Sequence, residues 1–155
     1  METTQAEELR GLVQRLFRRF GALGADTTPC GKPLSMAHAH ALMILLVRGE
    51  LTQQGLGAEL CIDKSNVARL CAKMVEAGHA VQAAGTQDRR SRRVSLTAAG
   101  KRLAREVDSA SRQRFESLLS GLKAPDRKQV IRGLSQLVAA IDASPADELD
   151  EGVEE

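Results

Sequence analysis

Tryptophan and tyrosine are absent from the 155 residues, and phenylalanine occurs only three times. A core must therefore come from Leu, Val, Ile and Ala, a composition that favours helices. Stacking platforms for unpaired bases are missing too, which counts against a reader of RNA or single strands. No apolar run approaches the roughly 18 residues needed to cross a membrane. The first eight residues are acidic and polar and do not read as a signal peptide, so a cytoplasmic protein is expected. The three cysteines show no CxxC or zinc-ribbon spacing, which fits reduced thiols. There is no Gly-rich phosphate loop, nucleophile elbow or paired-carboxylate motif, so neither catalysis nor a resident cofactor is expected.

What the chain does have is charge, unevenly placed. The net charge is +2, but six acids and no bases lie between Ala146 and Glu155, leaving +8 on the body. Between Asp63 and Arg105 ten Lys or Arg face three acids. Such a concentration is the footprint of a phosphate-binding face, although on its own it equally describes a solvated surface.

The basic segment coincides with an ordered set of local signals. Thr52 is a good N-cap for a short helix ending at Leu60, and Cys61-Ile62 forms a tight connection to a second helix capped by Asp63. This is helix-turn-helix in form. In the second helix Val67, Leu70, Cys71, Met74 and Val75 fall on one stripe expected to be buried, leaving Lys64, Ser65, Asn66, Arg69 and Lys73 on the outer side. Gly78 suits the left-handed position after a helix. Val81 and Ala83 then read as the inward side of a half-buried strand, and Arg92 to Leu96 as its return, with Val94 and Leu96 on one face. The connecting loop and its flank hold Asp88, Arg89, Arg90, Arg92 and Arg93.

The run Ile62-Asp63-Lys64-Ser65-Asn66-Val67-Ala68-Arg69-Leu70, then Glu76-Ala77-Gly78, Asp88-Arg89-Arg90, Val94-Ser95-Leu96-Thr97 and Gly100, resembles the MarR family of bacterial transcription regulators. The similarity of pattern extends from Leu9 to about Ala143. It departs at Gly55, where the family usually has a stronger helix former. The resemblance implies a mainly α (α+β) fold: a winged helix-turn-helix with a small β-hairpin wing and a helical dimerisation region drawn from both termini. It further implies that Arg90 enters the minor groove, that Asp88 holds the loop's arginines, and that small ligands, often aromatic acids, bind between the dimerisation helices and the winged module.

The flanks supply the remaining helices. From Glu7 to about Leu23, Leu9, Leu12, Val13, Leu16, Phe17, Phe20 and Leu23 repeat at helical spacing. A loop from Gly24 to Pro33 precedes a helix capped by Ser35 and ending at Gly49. Thr97 caps a long helix to Gly121, and a last amphipathic helix follows Pro125. Residues 1–145 are expected to form one domain, with 51–96 the winged helix-turn-helix and 7–48 and 97–143 its helical support. Residues 146–155 read as a disordered acidic tail. The apolar excess of the flanking helices points to a homodimer, although docking onto the chain's own core would use the same stripes.

Double-stranded DNA with an inverted-repeat operator is the expected partner, with Ser65, Asn66 and Arg69 meeting base edges and Lys64 and Lys73 meeting phosphates. Arg89, Arg92 and Arg93 are expected to neutralise phosphates beside the wing. A small-molecule effector would line up against Arg18, Arg19, His38 and His40. Residues two apart on a helix point about 160° apart, so His38 and His40 do not chelate one metal ion from regular helix. Cys61 and Cys71 are redox candidates, placed in the turn and on the reading helix. The competing readings are a redox- or metal-responsive regulator of the same fold and a winged-helix module whose basic face meets an acidic protein.

Overall fold

The computed structural model describes residues 3–85, 87 and 90–144. The chain divides into two compact units, residues 1–114 and 115–155. Asp88 and Arg89 of the wing and the acidic stretch 146–155 lie outside the described residues.

The element order is α1 (Thr3–Phe20), α2 (Met36–Arg48), β1 (Glu50–Thr52), α3 (Gln53–Leu60), α4 (Lys64–Glu76), β2 (Ala80–Ala84), β3 (Arg92–Leu96), α5 (Ala98–Ser120) and α6 (Ala124–Ala143). The caps fall where side-chain chemistry places them. Ser35 accepts from the His38 amide, Thr52 from the Gly55 amide and Asp63 from the Asn66 amide, satisfying donors at the starts of α2, α3 and α4. Gly49 and Gly78, at φ of 80° and 76°, turn the chain after α2 and α4. Lys123 starts α6 without a side-chain cap, helped by a proline in the first turn.

The first unit is built around a three-stranded antiparallel sheet in the order β1-β3-β2. The sequence pattern foretold β2 and β3 but not β1, whose three residues are too few to show alternation. It forms because Leu51 pairs with Val94 in the centre of the ladder. Leu42 and Leu45 of α2, Leu56 of α3, Val67, Leu70, Cys71 and Met74 of α4, Val94 and Leu96 of β3, and Ala104 and Val107 of α5 form the core. Three expectations fail locally. Val75 is 40% exposed, because it lies at the edge of the α4 stripe beyond Met74. In β2 it is Ala80 that is buried while Val81 is 51% exposed: the pairing of Ala80 with Leu96 turns Ala80 and Gln82 inward and Val81 and Ala83 outward. The first helix ends at Phe20, so Leu23 lies beyond it and is exposed.

Two glycines mark close approaches. A Cβ on Gly57 would sit 3.1 Å from Val67 Cγ1, so its absence lets α3 lie against α4. A Cβ on Gly100 would lie 1.9 Å from the His79 carbonyl oxygen, so only glycine fits where α5 starts against the end of α4.

In the second unit α6 has no buried residue, and Val130, Ile131, Leu134, Val138 and Ile141 are each about half exposed or more. Leu9, Leu12, Leu16 and Phe17 of α1, in the first unit, are likewise about half exposed.

Candidate nucleic-acid interface

Capping and burial together orient α4. With Val67, Leu70, Cys71 and Met74 in the core, Lys64, Ser65, Asn66, Arg69 and Lys73 are all exposed, as the helical spacing foretold. At its start the Asp63 carboxylate accepts twice from Asn66, from the backbone N–H at 2.8 Å and from Nδ2 at 2.5 Å. Arg69 Nη2 donates to Asn66 Oδ1 at 2.6 Å. The Asn66 amide, followed by the other donors at the helix start and the Arg69 charge, holds the Asp63 carboxyl below its ordinary value.

The wing lies beside this helix. Gly85 donates its N–H to the Ser91 carbonyl at 2.7 Å, closing the base of the loop. Arg90 and Arg92 are exposed, but Arg93 is partly engaged, its Nε donating to Glu50 on β1. Arg93 therefore meets a neighbouring strand, a pairing invisible without β1. Between helix and wing lies a hollow of about 600 Å³. Gln53 and Gln54 at the start of α3, Ile62 of the turn, Lys64 and Val67 of α4, and Arg90 and Arg92 of the wing are among the residues that line it. Gln53 is braced by Gln82 of β2, which donates to it at 2.8 Å.

At the far end of α4 the backbone is clamped. His79 donates its N–H to Met74 and accepts from Thr97, while the Thr97 hydroxyl donates to the Gly78 carbonyl and accepts from the Gly100 amide. His38 of α2 is buried here, its Nε2 3.0 Å from His79 Nδ1. Burial, then the neighbouring His79 and Lys73, push the His38 pKa down. Sequence spacing points to His38 but not to His79, since nothing in it links two residues 41 apart.

The other candidates scatter. His40 is exposed on α2, and Arg18 and Arg19 are exposed in the last turn of α1. A separate hollow of about 420 Å³ is lined by Lys32, Arg105, Glu106, Ser109, Ala110 and Gln113, and none of Arg18, Arg19, His38 and His40 contributes to it. Cys61 is exposed in a left-handed turn at φ 54°, whereas Cys71 is buried and burial pushes its thiol up, away from reactive thiolate. Among the described residues no group of three His, Cys, Asp or Glu is placed to hold a metal ion, and no helix is long and apolar enough to cross a membrane.

Residues 32–91, which carry this helix-turn-helix and most of the wing, match the sequence profile of the MarR family. Over this segment the chain is similar to the MarR family. The fold agrees over most of the chain. A MarR transcriptional regulator from Methanosarcina mazei is 27% identical, with a TM-score of 0.71, covering 86% of this chain and 96% of its own. The Streptomyces coelicolor PcaV regulator in complex with its natural ligand is 22% identical at a TM-score of 0.69, covering 86% and 92%. Bordetella bronchiseptica BpsR, whose DNA binding is regulated by 6-hydroxynicotinic acid, is 20% identical at 0.70, covering 84% and 98%. No curated protein matches the chain by sequence. MarR-like architecture thus accounts for the six helices and the small antiparallel sheet, and these relatives are regulators rather than enzymes.

Proposed function

We propose that the chain is a homodimeric, sequence-specific regulator of transcription that binds double-stranded DNA, acting as a repressor released by a small ligand. The observation that carries this reading is the hollow between α4 and the wing, with cationic side chains on both of its sides. A duplex whose major groove receives α4 and whose adjacent minor groove receives the wing would run its phosphate backbone between them. Lys64, Arg90 and Arg92 would meet that strand, Lys73 and Arg89 its neighbours, and Ser65, Asn66 and Arg69 the base edges. Asp88 would hold the wing arginines. Arg93 is already paired with Glu50 and would have to give up that contact to meet a phosphate.

Two copies related by a twofold axis would present two such faces, so the operator would be an inverted repeat with half-sites about one helical turn apart. The half-exposed apolar stripes of α1 and α6 support the dimer. For the effector, the hollow beside α5 is lined by Arg105 and by Lys32, for which an anionic ligand would compete with Glu106 at 3.7 Å, and the regulation of BpsR by 6-hydroxynicotinic acid favours a small aromatic acid.

Selection from a randomised duplex library tests the reading. An enriched inverted repeat supports it, and binding without any enriched sequence, or no binding, overturns it. With the operator in hand, Arg90→Ala is expected to lower affinity about tenfold or more and to flatten the salt dependence by about one ion, with the melting curve unchanged. Unchanged affinity in that variant would refute the wing assignment.

A further inference from the structure

Asn66 and Arg69 stand one turn apart on α4, and both are tied into a single chain of hydrogen bonds that begins at Asp63. The carboxylate takes the Asn66 amide N–H with one oxygen and Asn66 Nδ2 with the other, and Arg69 donates to Asn66 Oδ1. Capping needs only the first of these contacts. The second does something a cap does not require: with an acceptor-only carboxylate on one side and a donor-only guanidinium on the other, the Asn66 carboxamide has one polarity and cannot turn over. Each of its ends keeps unused capacity, a second N–H on Nδ2 and a second lone pair on Oδ1.

Resting on the DNA-binding reading, we infer that Asp63 is a specificity-positioning residue: it fixes the Asn66 carboxamide in the polarity that reads adenine and couples it to Arg69, so the two side chains read neighbouring base pairs as one unit. Adenine offers the major groove an N7 acceptor beside an N6 donor, the complement of a free N–H beside a free carbonyl lone pair. A carboxamide free to turn would accept either order and discriminate less. Arg69 keeps further N–H donors for a guanine on the next base pair, since three helical residues rise about 4.5 Å against the 3.4 Å step of the duplex. On this reading Asp63 acts through Asn66 and not by a base contact of its own.

Asp63→Ser and Asp63→Thr test this, because either hydroxyl caps the helix through the Asn66 amide but has one oxygen and cannot also hold Nδ2 in the same way. Selection and sequencing are run on the wild type, both variants and Asn66→Ala. The expected result is that the wild type favours adenine at one position of each half-site by roughly tenfold. The cap-preserving variants should keep the inverted repeat and its spacing, lose most of that one preference, and weaken the guanine preference beside it. Asn66→Ala should lose the same position. Melting curves and helix content of the Ser and Thr variants should match the wild type. An unchanged adenine preference in a folded Ser or Thr variant overturns the inference while leaving the regulator reading intact. Loss of all sequence selection in both folded variants overturns it too, because this positioning residue governs the adenine position and its guanine neighbour and not the whole site. A wild type that enriches no motif overturns the regulator reading and this inference with it.

Discussion

Gly100 and His38 are the two residues whose chemistry is most constrained by what surrounds them. A methyl group on Gly100 would fall 1.9 Å from the His79 carbonyl oxygen, which is backbone and already accepts from Thr97. Gly100→Ala is therefore expected to cost about 3 kcal/mol, the upper range for overpacking, and to lower the melting temperature by roughly 10 °C; a shift of only a degree or two would show that α5 relaxes away at little cost. His38 and His79 share one N–H across 3.0 Å, so a proton added to the acceptor nitrogen breaks the pair. Because the folded state holds His38 below its ordinary pKa, the unfolded chain binds the proton more readily, and stability must rise with pH across that window. The contribution is present above the ordinary imidazole range and is lost as pH falls towards the depressed value. Melting temperature followed from about pH 7 to about pH 5 should decline in the wild type and decline less in His38→Gln. Equal slopes would remove the pair from the account. Neither constraint is written in the local sequence: Gly100 is ordinary near a helix start and His79 follows a turn, and only the fold brings them together.

At the scale of elements, most boundaries were legible because they are set by side chains acting on their own backbone. Ser35, Thr52 and Asp63 cap the helices that the spacing gave them, and Gly49 and Gly78 take positive φ where a chain reversal needs it. What was not legible depends on pairing at a distance. β1 exists because of β3, and the face of β2 follows from Ala80 opposing Leu96. Where hydrophobicity is weak, as in Ala-Val-Gln-Ala-Ala, the register comes from the partner strand and not from the pattern. Of the two glycines in α3, Gly57 has the same hidden cause. Its missing Cβ leaves room for Val67, which is buried and β-branched and so has little freedom to give way. Gly57→Ala gains up to about 1 kcal/mol of helix propensity but must push α4 aside. The expected outcome is a net loss of about 1 kcal/mol by chemical denaturation, together with a fall in operator affinity, because the angle between α3 and α4 aims Asn66 and Arg69. A stabilised variant with unchanged affinity would mean that the contact is slack.

At the scale of the whole molecule, what covers the apolar stripes decides how the chain assembles. Leu9, Leu12, Leu16 and Phe17 on α1 and Val130, Ile131, Leu134, Val138 and Ile141 on α6 are about half exposed or more in the single chain. Each stripe taken by itself is a row of large apolar side chains of the kind that a partner surface covers. Leu134 is a good place to ask the question, since its exposure in the single chain means that a charge there need not disturb folding. If the proposed dimer forms through α6, Leu134→Glu is expected to keep its helix content while sedimenting as a monomer at concentrations where the wild type sediments as a dimer. Its affinity for the full inverted repeat should fall to that of a single half-site, because the two reading heads are no longer joined and the second contact loses its high effective concentration. A variant that remains dimeric would move the interface off α6, and one that is monomeric yet binds the full repeat as tightly as the wild type would show that dimerisation is not what couples the two half-sites.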